Sequence, residues 1–169
     1  MSIKNKISHS ITLVVVAAAV SSCGVSHKTV LVTAPASTTI TQVGTATDGS
    51  YIVSVTQSGT NVAVASKQAK KEAVRSILFD GLKSSVSTTQ QKPIVADKTA
   101  EIQFKDYFAK FFTDDGPYLN FVAETPGQPV TPVKTGSGYK ITITITVKKD
   151  ALRKEMENNG IIKKLGQGL

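Results

Sequence analysis

The chain has 169 residues, a formal net charge of +8 and 40% hydrophobic residues, a composition that suits one domain with a leader. It carries one cysteine, two histidines and no tryptophan. A lone cysteine excludes an internal disulfide. Both histidines, His9 and His27, lie near the N-terminus, so the chain beyond them excludes Ser-His-Asp and Cys-His catalysis and ordinary zinc sites.

Residues 1–10 hold Lys4 and Lys6 and no acid, and residues 11–20 form an apolar run interrupted only by Thr12. Small residues and then Cys23 follow. This order predicts a secretory signal peptide, and the run is too short for a bilayer core that needs roughly 20 helical residues. An ordinary signal peptide with a chance cysteine is the alternative. Against it, Cys23 is the only cysteine, and a free thiol is a liability outside the cell.

Val20-Ser21-Ser22-Cys23 resembles the lipobox of bacterial lipoproteins. The resemblance implies cleavage before Cys23, a diacylated thiol there and often an acylated amine. In that family aspartate after the cysteine retains the protein in the inner membrane. Gly24 at this place implies the outer membrane, and the lack of acidic residues just after Cys23 implies the periplasmic face. The expected organisation is residues 1–22 signal peptide, 23–49 lipidated tether and 50–169 α+β domain, with the membrane as a partner through the lipid on Cys23.

Residues 24–49 are rich in Thr, Ser, Ala and Val and nearly uncharged, which reads as a tether; residues 28–33 (KTVLVT) are alternatively a strand of the domain. The β-branched run 51–56 (YIVSVT) predicts a strand broken by Gly59. A helix is expected over 62–80, capped by Thr60 or Asn61 and stopped by Gly81. Val62, Ala65, Ala69, Ala73, Ile77 and Leu78 share its inner face, while Lys67, Lys70, Lys71 and Arg75 lie elsewhere. Residues 83–98 read as a polar connector with an extended piece at 93–96.

A second helix is expected over 99–113, where Phe104, Tyr107, Phe108 and Phe111 form a core stripe. A turn at 114–117 leads into a strand over 118–124, with Leu119, Phe121 and Ala123 on one face. Residues 125–138, with three prolines and three glycines, read as a long loop. Over 139–147, Tyr139, Ile141, Ile143, Ile145 and Val147 alternate with Lys140, Thr142, Thr144 and Thr146, the pattern of a strand with one wet face. Asp150 is the expected cap of a last helix over 151–158. Leu152, Met156, Ile161, Ile162 and Leu165 tie the tail to the domain. The fold class is α+β: an antiparallel sheet with helices on one face, in a single domain.

No catalytic, metal or cofactor residues are expected. Asp114 and Asp115 suit a turn. Asp97, Glu101, Asp106 and Glu124 could supply a glycosidase-like pair, although their spacing does not require one. Residues 44–50 echo a phosphate loop without its lysine. The candidate partner surfaces are the cations Lys67, Lys70, Lys71 and Arg75 and the threonine face Thr142, Thr144 and Thr146. They suit an envelope protein partner, and no nucleic-acid motif is present. The alternative is a binder or carboxylate-dependent processor of envelope glycan, against which the lack of tryptophan counts.

Gly59-Thr60 followed by Ala65, Ala69 and Ala73 is similar to a stretch in small Gram-negative lipoproteins related to the N-terminal domain of flagellar assembly protein T. Residues 148–162 (KKDALRKEMENNGII) fit the strand-and-helix ending of that pattern, which spans residues 50–162. The resemblance implies a structural or assembly role in the envelope and carries no catalytic residues.

Overall fold

The structure is a computed structural model that describes residues 38–88, 90–164 and 166, all within one compact unit, residues 32–169. The lipobox, Cys23, residues 28–33 and Leu165 lie outside the described residues.

Two long strands form the centre. Tyr51–Gly59 (the second strand, β2) and Gly138–Val147 (the sixth, β6) pair antiparallel along their whole length, from Tyr51 opposite Val147 to Gly59 opposite Tyr139. Alternation sorts their side chains. Tyr51, Val53, Val55, Ile141, Ile143, Ile145 and Val147 are buried on one face, and Thr142 is exposed on the other. Helix α1, Val62–Phe79, packs on that inner face. Ala65, Ala69 and Ala73 are fully buried at four-residue spacing, so the helix axis comes close to the sheet.

The chain enters α1 through a tight corner. A Cβ on Gly138 would sit 2.3 Å from the Gly59 carbonyl oxygen, so the two backbones touch where only glycine fits. Asn61 then caps the helix, its Oδ1 accepting from the Val64 amide at 2.9 Å. At the other end Gly81 takes φ +75. The last carbonyls of α1, which a helix leaves without partners, accept from Ile94 N (Ile77 O, 3.1 Å), Val95 N (Leu78 O, 2.8 Å) and Lys98 Nζ (Phe79 O, 2.9 Å). These bonds hold the extended piece expected at 93–96 within the polar connector, where Ile94 and Val95 are buried.

The sheet is wider than the sequence predicts. Thr39–Thr45 (β1), expected to be tether, pairs antiparallel with β2 through a bulge between Gln42 and Gly44, so the folded part begins well before residue 50. Lys83–Ser84 (β3) pairs parallel with β1, which makes the sheet mixed rather than wholly antiparallel. Val122–Glu124 (β4) and Thr131–Thr135 (β5) share the outer edge of β6. The order is β3-β1-β2-β6-β4, with β5 also on β6. The loop expected over 125–138 is thus partly a hairpin. Its Pro132 sits in an edge strand, the place where a missing amide costs least.

Three other expectations change. The helix expected over 99–113 splits at Phe104 into α2, Ala100–Gln103, and α3, Lys105–Phe111. The split puts Ala100, Phe108 and Phe111 in the core and leaves Ile102 75% exposed. The strand expected over 118–124 is mostly a 3₁₀ turn, Pro117–Phe121, because Pro117 presets the first helical position. Tyr118 is buried there, and its hydroxyl donates to the Asp114 carbonyl. The last helix, α4, is Lys149–Asn158. Asp150 lies inside its first turn and favours the helix dipole without capping it.

Candidate functional site

The four cations expected to face a partner each lie within ion-pair distance of a carboxylate of the same domain. Lys67 pairs with Asp115 at 3.0 Å, Lys70 with Glu124 at 2.7 Å and Lys71 with Asp114 at 3.9 Å. Arg75 grips Glu101 with both guanidinium ends, Nη2 to Oε2 being 2.9 Å, and lies 5.5 Å from the Phe79 ring centroid. The hydrogen bond to Glu101 raises the Arg75 pKa despite its burial, and the bond to Asp115 and that carboxylate's charge raise that of Lys67. Each pair joins α1 to residues 97–124. The cationic stripe therefore has contacts within the domain, between the helix and that arm.

Thr142, Thr144 and Thr146 lie on the opposite face of β6 from the side chains packed under α1. Thr142 is exposed and the other two are half-buried. Their hydroxyls are partly used within the sheet, Thr142 with Thr56 at 3.2 Å and Thr146 with Thr125 at 3.1 Å. The two candidate surfaces thus lie on opposite sides of the sheet and do not form one site.

The acids considered for glycan chemistry are also dispersed. Glu101 and Glu124 sit in ion pairs. Asp97 accepts from the Thr99 amide and hydroxyl, each at 2.8 Å, and these bonds lower its pKa. Asp106 is exposed on α3. Residues 44–50 end β1 and turn into β2, where Asp48 accepts from Ser50 N at 2.9 Å and from its hydroxyl at 3.0 Å. The amide bond, then the hydroxyl bond, lowers the Asp48 pKa. Among the described residues no group of three His, Cys, Asp or Glu side chains could hold a metal. Tyr107 donates to Glu155 at 3.3 Å. Burial, then the Glu155 charge, raises its phenol above the ordinary 10.

What the structure does bring together is an open groove of about 960 Å³ between α1 and the β1 side of the sheet. Val64, Gln68, Glu72 and Ser76, spaced four apart, line its helical wall; Ile40 and Gln57 line the sheet side, and Tyr139 lies at the β6 end. Gln57 is only 5% exposed. Its Oε1 accepts from the Thr38 hydroxyl, and its Nε2 donates to Ser58 O at 3.1 Å and reaches Gln68 Oε1 at 3.5 Å. Sequence reasoning missed this groove. The available signal was Gln57 itself, a polar residue in the inward phase of Tyr51, Val53 and Val55.

No family model, curated protein or solved structure matches the chain.

Proposed function

We propose that the chain is a lipid-anchored lipoprotein of the bacterial envelope whose α+β domain binds a partner without catalysing a reaction. The carrying observation is the order of basic residues, apolar run and Val20-Ser21-Ser22-Cys23 in a chain with one cysteine. One fatty chain holds a protein marginally, whereas two or three on Cys23 hold it lastingly. By the lipobox resemblance, Gly24 supports an outer-membrane destination, and the lack of acidic residues just after Cys23 supports the periplasmic face.

The non-catalytic reading is supported by the acids that the structure describes. Glu101, Glu124, Asp114 and Asp115 each lie within ion-pair distance of a cation of α1. The pattern shared with lipoproteins related to the flagellar assembly protein T domain supports a structural or assembly role. No helix among the described residues is long and apolar enough to cross a membrane.

The test is mass spectrometry of the native N-terminal peptide after growth with a fatty-acid analogue. The expected result is a chain starting at acylated Cys23, with Cys23→Ser losing both the label and the membrane fraction. An unmodified thiol or a retained leader would overturn the reading.

A further inference from the structure

Helix α4 ends in a closed motif that fixes its last residues. Gly160 takes φ +69, its amide donates to Glu157 O at 3.2 Å, and the Ile161 amide donates back to Met156 O at 2.9 Å. The motif carries Ile161 to the core, where it and Met156 are buried. The left-handed residue is unstrained only as glycine, and that requirement places a glycine directly after Asn159. Asn159-Gly160 is the one Asn-Gly pair in the chain. Asn5, Asn61, Asn120 and Asn158 are followed by Lys6, Val62, Phe121 and Asn159, whose side chains hinder attack by the next backbone nitrogen. Asn159 and Gly160 are both exposed.

We infer that Asn159 is a site of spontaneous deamidation, gated by the end of α4. The Gly160 nitrogen, losing its proton to solvent hydroxide, attacks the Asn159 side-chain carbonyl carbon. The new bond closes a five-membered succinimide as the bond to Nδ2 breaks, and ammonia leaves with a proton from water. Water then opens the ring at either carbonyl, leaving aspartate or isoaspartate. The folded geometry opposes the first step. Ring closure needs the Gly160 nitrogen turned beside the Asn159 Cβ, far from the ψ of 6 held here. The Asn159 Nδ2 also donates to Glu155 O at 2.9 Å and to Glu155 Oε1 at 3.0 Å. The last turn therefore opens before the reaction proceeds. The product does not fit back. Aspartate loses both Nδ2 bonds and sets a second carboxylate against Glu155 at the negative end of the helix. Isoaspartate also lengthens the main chain by one carbon, which breaks the closure that holds Ile161. Glu155 accepts from the Tyr107 hydroxyl at 3.3 Å, so the change reaches α3.

The experiment is ageing of the purified full chain in warm, mildly alkaline buffer, with and without urea, followed by peptide mapping. Conversion of amide to acid is expected at Asn159 ahead of every other asparagine, part of it as isoaspartate. Urea should speed it at least about tenfold, the factor for an opening cost of about 1.4 kcal/mol. Asn159→Gln, which would have to close a larger ring, should stay unconverted. The aged chain and Asn159→Asp should each melt a few degrees below the parent. No conversion at Asn159 in the folded chain, equal rates with and without urea, or an unchanged melting temperature in the aged chain would overturn the inference. The reaction needs only water, so its outcome is independent of the state of Cys23.

Discussion

The block of β2, β6 and α1 and the arm of residues 97–124 are held by different forces. In the block, Val53, Val55, Ala65, Ala69, Ile141 and Ile145 are wholly removed from water, and one pair of glycines lets two backbones touch. The arm brings its own aromatic cluster, Phe108 against Phe79 at 5.0 Å and Phe111 stacked on Tyr107 at 5.6 Å. Along α1 it is also held by ion pairs whose carboxylates are largely in water. The block therefore supplies stability by exclusion of water, and the ion pairs supply orientation. Substitutions in the two regions should differ several-fold in effect.

The largest loss is expected in the block. Ile145→Ala removes a fully buried side chain of β6, opposite Val53 of β2, and should cost about 4 kcal/mol by urea denaturation. A loss under about 1 kcal/mol would show that the sheet centre can collapse around the cavity. Gly138→Ala should follow at about 2 kcal/mol, because the new Cβ meets a backbone oxygen, which cannot rotate away as a flexible side chain can. If Gly138→Ala were neutral, the corner between β2 and β6 would have to be looser than its contacts imply.

The same division explains what the sequence revealed. The block was legible because strict alternation over Tyr139–Val147 and four-residue spacing from Ala65 to Ala73 each admit one packing solution. Gly59, Asn61 and Gly81 gave the helix ends for local reasons that survive tertiary context. The arm was not legible, because Pro117 and the aromatic run fit a strand, a helix or a 3₁₀ turn until the core surface is known. β1 was hidden by its composition. Thr39, Thr41 and Thr45 read as linker residues, and only pairing with β2 makes them a strand. The groove was hidden for a related reason: its wall and floor are brought together by the sheet being wider than its helix, a relation no local window contains.

The smallest effect is the most informative about the arm. Lys70 and Glu124 approach to 2.7 Å with side chains 23% and 60% exposed. Water and salt screen such a pair, so its coupling should be about 0.5 kcal/mol in a double-mutant cycle of Lys70→Ala and Glu124→Ala. The coupling should fade in 1 M salt, where the screening length is about 3 Å. Each single variant should leave the melting temperature within a few degrees of the parent. A coupling above about 2 kcal/mol that persisted in salt would mean that the pair is desolvated and that the arm belongs to the block. The expected small, screened value leaves the arm's attachment to its buried aromatics and to the pairing of β4 with β6, with the charges only adding to its alignment.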